Sequence, residues 1–257
     1  MNEAVRYELT GGIARIALVE AGGTVLNRAS LVSLSTFLER AARDSRCRAV
    51  VLEAEPGEEF CRGLDLDWLL TAEADAPEQF HDCLTSLGTC SKPVIARIAG
   101  RVVGGGLGLV AACDIVIAAS EASFQLSEVI VGMIPALIAP FLLTRLSPAR
   151  LRALALGSRT LTAPEAWQWG LVDEVAQDDL DTACYRQIDR LLRSSPDALA
   201  ATKRYLQKLR APAAAELALA RTELAAWLAD PEHLEGIRAF AEGFAPPWFA
   251  RRRRSRV

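Results

Sequence analysis

The sequence lacks the cysteine and histidine patterns that bind metals or form disulfide frameworks. Its six cysteines include no C-x-x-C pair, and its two histidines, His81 and His233, lie far apart. We therefore expect no metal site and reduced cysteines inside the protein. The cysteines are Cys47, Cys61, Cys83, Cys90, Cys113 and Cys184.

Long apolar runs are also missing. No stretch reaches the length of a transmembrane helix, and the chain starts directly at Met1-Asn2-Glu3-Ala4 without a signal peptide. We expect a cytoplasmic protein that makes no membrane contact.

The sequence has no overall excess of positive charge. The 29 Lys and Arg residues against 32 Asp and Glu give a net charge of −3, which excludes the basic excess of nucleic-acid-binding proteins. The basic run at residues 251–256 is interpreted either as a solvated, disordered tail or as a docking segment for an acidic partner.

Strand patterns fill the first part of the chain and helix patterns the second. Alternating segments around Gly11-Gly12 predict a β-hairpin, while Thr162 and Glu165 mark a helix start and Gly170 its end. This order predicts an α/β core, with its strands before residue 120, and a helical C-terminal region. Strands are predicted over 5–9, 13–18, 49–53, 93–99 and 115–119, and helices over 31–42, 64–70, 77–87, 109–113, 140–146, 148–156, 179–193, 196–209 and 212–228.

A glycine-rich stretch at residues 100–108 connects a predicted strand to a predicted helix. Glycines at such a junction leave backbone N–H groups accessible, and the positive end of the helix favours an anion. A second candidate junction lies at residues 60–66. Together the two junctions predict a pair of N–H donors for one oxyanion, as enzymes use for enolates.

Four motifs then occur in a fixed order along the chain. They are FCRGLDL at 60–66, the stretch from KPVIA at 92–96 through GGG at 104–106 to CDI at 113–115, LTAPEA at 161–166 with GLV at 170–172, and EGIRAF at 235–240. In this order they resemble the motifs of the crotonase (enoyl-CoA hydratase/isomerase) superfamily over nearly the whole chain.

The resemblance implies a spiral of ββα repeats over residues 1–195, a helical oligomerisation region over 196–250, and a basic tail over 251–257. It also implies a homotrimer or a dimer of trimers. It further implies that the substrate is a thioester on a phosphopantetheine arm, of CoA or of an acyl carrier protein, with no other cofactor. By the same resemblance, the oxyanion hole is expected at the backbone N–H groups of Leu64 and Gly105.

Two departures from the superfamily pattern bear on the reaction. Glu128 matches the second of two catalytic glutamates, whereas the first falls at Gly108, which has no proton to give. A flexible glycine-rich stretch is replaced by Ala136-Leu137-Ile138-Ala139-Pro140, which predicts a bulkier, more apolar pocket wall.

Together with the segments SFQLSE at 123–128 and PFLL at 140–143, these departures resemble the dehydratases of polyketide β-branching. That resemblance implies a lyase that removes water from 3-hydroxy-3-methylglutaryl-acyl carrier protein, giving 3-methylglutaconyl-acyl carrier protein, with Glu128 as acid and base. Two alternatives stay open: an enoyl-CoA hydratase or isomerase acting on a CoA thioester, and a crotonase-fold partner subunit without its own chemistry.

Further residues of these motifs are candidates for contact with the substrate. Asp65 is interpreted mainly as a helix cap, Trp68 as a pocket wall or core residue, and Arg62 as either a phosphate ligand or a solvated side chain. His81 is a weaker candidate, and Lys203 with Arg204 fits either a phosphate contact or a solvated face. The predicted substrate-binding set is Arg62, Asp65, Trp68, Gly104, Gly106, Gly108, Pro135 and Ala136.

Overall fold

The computed structural model describes residues 4–19, 24–55, 59–70, 75–177, 179–210 and 214–244. The predicted basic tail at 251–257 lies outside them. Within them, two sheets carry the fold, with strand orders β1-β2-β4-β6-β8-β11 and β10-β9-β7-β5-β3. The strands are β1 (Val5–Thr10), β2 (Ile13–Leu18), β3 (Thr24–Leu26), β4 (Ala49–Ala54), β5 (Glu59–Leu64), β6 (Val94–Ile98), β7 (Arg101–Val103), β8 (Ile115–Ala118), β9 (Ser123–Gln125), β10 (Thr160–Thr162) and β11 (Glu174–Val175).

From β2 to β9, consecutive strands alternate between the two sheets. The pairs β4–β5, β6–β7 and β8–β9 each place their first strand in the six-stranded sheet and their second in the five-stranded one, and helices connect successive pairs. Neighbouring strands from successive pairs run parallel, as such crossover connections require. This is the predicted spiral of ββα repeats.

The helices confirm most of the predicted segments. They are α1 (Arg28–Arg43), α2 (Leu66–Leu70), α3 (Ala76–Thr89), α4 (Gly105–Ala112), α5 (Ala139–Leu142), α6 (Pro148–Gly157), α7 (Ala163–Trp169), α8 (Leu180–Leu192), α9 (Pro196–Arg210), α10 (Ala214–Leu228) and α11 (Pro231–Ala241). None of these described helices is long and apolar enough to cross a bilayer.

Local capping explains several helix boundaries. Thr162 and Glu165 form the predicted capping box at the start of α7, and Gly170 ends that helix in a left-handed conformation. Asn27 and Ser30 form a second capping box on α1, which the sequence analysis missed. Side-chain acceptors satisfy N–H groups that have no partner within the helix.

The prediction that all strands precede residue 120 was wrong. Strands β9, β10 and β11 follow that position, and each has only two or three residues. Segments this short carry no hydrophobic period, so only tertiary pairing reveals them. Helix α4 also begins at Gly105, four residues before its predicted start, because the glycines themselves form its first turn.

The core lies between the two sheets and helices α1, α3 and α4. Helix α4 is buried along its whole length, which explains why its residues are apolar on every side. All six cysteines are buried free thiols, as predicted. A rigid, fully packed helix in this position gives the glycine junction at its start a fixed location.

Candidate active site

The two glycine junctions meet in space. The first runs from β5 into α2 and the second from β7 into α4. A Cβ atom added to Gly105 would lie 3.4 Å from the Leu64 nitrogen, and one added to Gly63 would lie 3.4 Å from the Gly105 nitrogen. The fold therefore brings together the two backbone N–H groups that the motifs predicted as partners.

The sheet geometry explains where these N–H groups point. Asp65 donates its N–H to the Leu26 oxygen on β3 (2.9 Å), so Leu64, one residue earlier, directs its N–H toward the opposite side. On that side the pairing of β5 with β7 ends at Cys61 and Val102. Gly105 is the first residue of α4, and its N–H has no acceptor within the helix.

Two positions of the second junction favour glycine for different reasons. Gly104 has a φ of +52°, a backbone conformation that other residues rarely adopt. A Cβ on Gly106 would lie 2.9 Å from the Cys61 Cβ atom, closer than side chains tolerate. A side chain at Gly106 would therefore force α4 and β5 to shift apart.

Glu128 lies at the first turn after β9, facing the α4 N-terminus. Its Oε2 atom is buried without a hydrogen-bond partner, although other parts of the residue reach the surface. Burial raises the pKa of this carboxyl to about 7, against the smaller lowering effect of the Glu128 and Ser127 backbone N–H groups. A carboxyl with such a pKa is suited to general acid–base work near neutral pH.

A cavity of about 40 Å³ connects these groups. Apart from Glu128 its side chains are apolar, and they come from α3, α10 and the segment after Glu128. Such apolar surroundings lower the local dielectric constant and strengthen the electrostatic interactions of the few polar groups present. The lining residues are Leu64, Phe80, Gly105, Glu128, Met133, Ile134, Pro135, Leu137, Ile138 and Leu224.

There is no space for a side chain at residue 108, where the superfamily pattern has its first catalytic glutamate. A Cβ on Gly108 would lie 2.6 Å from Ile138 Cγ2 and 3.2 Å from Leu84 Cδ1. Ile138 belongs to the bulky segment that the sequence predicted as a pocket wall, and Leu137 of the same segment also lines the cavity. The space for a carboxylate at 108 is thus occupied by hydrocarbon.

The other predicted residues differ in whether they line the cavity, cap a helix or pack in the core. Pro135 lines the cavity, whereas Ala136 is adjacent to the lining and packs against the core. Asp65 caps α2, accepting hydrogen bonds from the N–H groups of Asp67 (2.9 Å) and Trp68 (3.1 Å). Trp68 packs partly buried against the core, which places it as a core residue.

Basic and histidine candidates lie away from the lining. Arg62 is exposed on β5, and Arg204 is exposed on α9. Lys203 instead forms a largely buried ion pair with Asp114 (2.6 Å) and donates to the Lys92 carbonyl oxygen (3.3 Å), so the interpretation of Lys203 as a solvated side chain was wrong, and a phosphate contact stays a prediction. His81 lies 3.4 Å from Thr85 Oγ1, and burial lowers its pKa.

Sequence reasoning missed several lining residues. Phe80, Met133 and Leu224 are apolar side chains outside the quoted motifs, and Ile134 lies beside the predicted Pro135 but was not chosen as a contact residue. Phe80 recurs at helical spacing with Leu84 and Leu87, a pattern typical of any core helix. Leu224 reaches the cavity because α10 packs beside it, and the local sequence does not predict where α10 packs.

Comparison with known proteins agrees with this geometry. The family model for enoyl-CoA hydratase/isomerase matches residues 8–251. The bacillaene synthase dehydratase PksH of Bacillus subtilis (strain 168) is 31% identical over 210 residues, covering 79% of this chain and 80% of that protein. A carnitinyl-CoA dehydratase of Proteus mirabilis (strain HI4320) is 29% identical over 270 residues, covering 98% and 100%.

A solved structure shows the same architecture. The polyketide biosynthesis enoyl-CoA hydratase (pksH) of Bacillus subtilis superposes with a TM-score of 0.87 at 26% identity, covering 96% of this chain and 100% of that one. The named relatives are hydratases and dehydratases, which are lyases, and the function is of that type. With its spiral fold, paired N–H groups and family-model match, the chain belongs to the crotonase superfamily, in the enoyl-CoA hydratase/isomerase family.

Proposed function

We propose that this protein removes water from a 3-hydroxy-3-methylglutaryl thioester on an acyl carrier protein, forming the 3-methylglutaconyl thioester. One observation carries the proposal: a single buried carboxylate, Glu128, faces the oxyanion junctions, while Ile138 fills the space beside Gly108. A two-carboxylate hydratase positions its water between two acidic groups. A site with one carboxylate and apolar walls leaves both proton transfers to that single group.

The proposed steps balance with one residue acting twice. Ionised Glu128 takes a proton from C2, and the negative charge that develops on the thioester oxygen is stabilised by the N–H groups of Leu64 and Gly105. The C3–O bond then breaks as the C2=C3 double bond forms. Protonated Glu128 returns the proton to the departing hydroxide, so that water leaves and Glu128 is ionised again.

The substrate itself assists this chemistry. Loss of its tertiary hydroxyl gives an alkene conjugated with the thioester, which lowers the demand for a separate general acid. Proton removal and proton return occur on one face in a syn elimination, so a single carboxyl serves both steps. The pKa of about 7 places Glu128 between its two protonation states at neutral pH.

Similarity to PksH, named a bacillaene synthase dehydratase, supports a carrier-bound substrate. We expect a homotrimer or dimer of trimers, and docking of the acidic carrier protein on the basic tail at 251–257. Deleting that tail is expected to raise KM for the carrier substrate and to leave KM for a CoA analogue nearly unchanged. Equal effects on both substrates would contradict docking.

A CoA thioester is the second candidate substrate class. The carnitinyl-CoA dehydratase that matches over nearly the full chain favours it, because its name specifies a CoA thioester. Both candidates use the same oxyanion junctions and Glu128, and they differ in the arm that carries the acyl group.

Intact-protein mass spectrometry of a loaded carrier protein tests the proposal. Carrier protein bearing 3-hydroxy-3-methylglutaryl is incubated with the wild-type enzyme or with Glu128→Gln, which keeps the shape of the side chain but removes its acid–base function. We expect the wild type to remove one water and the variant to be slower by about 10²–10⁴-fold.

Each contrary outcome has a defined meaning. Activity of Glu128→Gln within about tenfold of wild type would exclude Glu128 as the base. No mass change on the carrier, together with hydration of crotonyl-CoA in a parallel assay, would establish the CoA candidate. No reaction in either assay would favour a partner subunit without its own chemistry.

A further inference from the structure

The C-terminal helices α10 and α11 contact both sides of the site. Leu224 on α10 lines the cavity, and Trp227, three residues later on the same helix face, donates its indole N–H to the Gly132 carbonyl oxygen (2.7 Å). Helix α11 packs against α2, the helix that follows Leu64. One helical pair therefore adjoins the Glu128 segment and the first oxyanion junction.

Gly132 belongs to the turn that carries the carboxylate. The turn is closed by hydrogen bonds from the N–H groups of Val131 (3.1 Å) and Met133 (2.8 Å) to the Glu128 carbonyl oxygen. Met133 continues directly into the cavity lining. The indole thus holds a backbone segment that bears Glu128 at one end and a wall of the cavity at the other.

His233 supports the indole from α11. The two rings stack with centroids 3.7 Å apart and an interplanar angle of 5°. Because a carbonyl oxygen only accepts, His233 Nδ1 donates to the Trp227 oxygen at 3.1 Å. The imidazole therefore contacts both the ring and the backbone of Trp227, which restricts its side chain to one orientation.

We propose that Trp227, stacked on His233, is a positioning residue that holds the Glu128 turn against α10 and keeps the carboxylate shielded from water. We call the Trp227–His233–Gly132 contact the indole clamp. This inference rests on the proposed role of Glu128 and adds the C-terminal helices to the machinery of the site. Without the clamp, the turn separates from Leu224 and water enters beside the carboxylate.

The test compares two variants that both lack the indole N–H. Trp227→Phe keeps an aromatic ring and removes the donor, while benzothienylalanine at 227 keeps the full bicyclic shape with sulfur in place of N–H. Trp167→Phe is the matched control, since Trp167 is exposed on α7, away from the cavity lining. Steady-state kinetics are measured across pH with the carrier substrate and with crotonyl-CoA.

A direct titration of Glu128 makes the test independent of the substrate. Carboxyl ¹³C NMR of glutamate-labelled protein follows the ionisation, and Glu128→Gln assigns the signal. Burial is what raises the pKa of Glu128 to about 7, and the groups opposing it are the backbone N–H groups of Ser127 and Glu128. Entry of water is therefore expected to lower this pKa in both clamp variants.

We expect kcat to fall by about tenfold or more in both clamp variants with KM little changed, because small displacements of a reacting group are costly. The Glu128 titration is expected to move toward its ordinary range, and Trp167→Phe to match wild type. An unchanged Glu128 titration in the benzothienylalanine protein would overturn the proposal, even if the enzyme proves inactive on every thioester tested. A lower kcat with an unchanged Glu128 titration would also overturn the proposal, because it would show that the Trp227 contact does not shield the carboxylate.

Discussion

Gly108 and Ile138 form a complementary pair: the Ile138 Cγ2 atom lies 2.6 Å from the point where a Cβ on residue 108 would stand. A glycine on α4 and a branched residue before α5 occupy one volume between them. The absence of the first glutamate is therefore accompanied by an apolar side chain that fills its place.

This pairing predicts that substitutions at residues 108 and 138 have non-additive effects on the free energy of unfolding. Gly108→Ala is expected to lower the free energy of unfolding by roughly 1–3 kcal/mol through overpacking, and by less in an Ile138→Ala background, where Cγ2 is gone. Urea denaturation of wild type, both single variants and the double variant gives the coupling free energy. Additive effects would show that the two residues do not compete for the same space.

The buried Glu128 carboxyl predicts a pH-dependent stability. Its pKa is about 7 in the folded protein and near 4.5 when unfolded, so the folded state binds more protons between these values. The preference of the folded state for protonated Glu128 stabilises the protein fully below pH ~4.5. This contribution decreases as the pH rises through ~7, and the total loss of unfolding free energy is about 3 kcal/mol. Unfolding measured from pH 4 to 9 is expected to show this decline in wild type relative to Glu128→Gln. Parallel curves would contradict a buried, protonated carboxyl.

The Leu64–Gly105 junction predicts sensitivity to a single methyl group. A Cβ on Gly105 would lie 3.4 Å from the Leu64 nitrogen and 3.2 Å from Phe80 Cζ, in the space where the thioester oxygen is expected. Gly105→Ala is therefore expected to lower kcat/KM by about 10²–10³-fold, comparable to the loss of an oxyanion donor. Gly157→Ala is the control, because nothing lies within 4 Å of a Cβ there. Near-wild-type turnover by Gly105→Ala would exclude this oxyanion site.

The Lys203–Asp114 pair predicts a structural rather than a substrate-binding role for Lys203. Its side chain is 9% exposed, and its ammonium group contacts an Asp114 carboxylate that also accepts a hydrogen bond from the Val94 N–H (2.7 Å). Lys203→Met is expected to cost about 3 kcal/mol of stability by leaving that carboxylate without its cation. The exposed Arg204→Met is expected to cost little. If Lys203→Met instead raised KM with unchanged stability, a phosphate contact would be the better explanation.

Sequence and structure agree where local chemistry is decisive. The capping box at Thr162, the hairpin at Gly11-Gly12 and the glycine-rich start of α4 follow from backbone rules that apply over a few residues. The short strands β9, β10 and β11 could not be predicted, because two or three residues carry no period and form only when a neighbouring strand supplies hydrogen bonds.

The sequence by itself determined the family, the glycine pair and the presence of one candidate carboxylate, since motif order and residue type need no coordinates. The tertiary structure alone decided that Leu64 and Gly105 approach each other, that Ile138 fills the space at Gly108, that Leu224 lines the cavity and that Trp227 contacts Gly132. Those contacts join residues from different helices and strands. The interaction energies of these contacts depend on how deeply the residues are buried and how far apart they lie. Both are fixed only when the spiral and the C-terminal helices pack together.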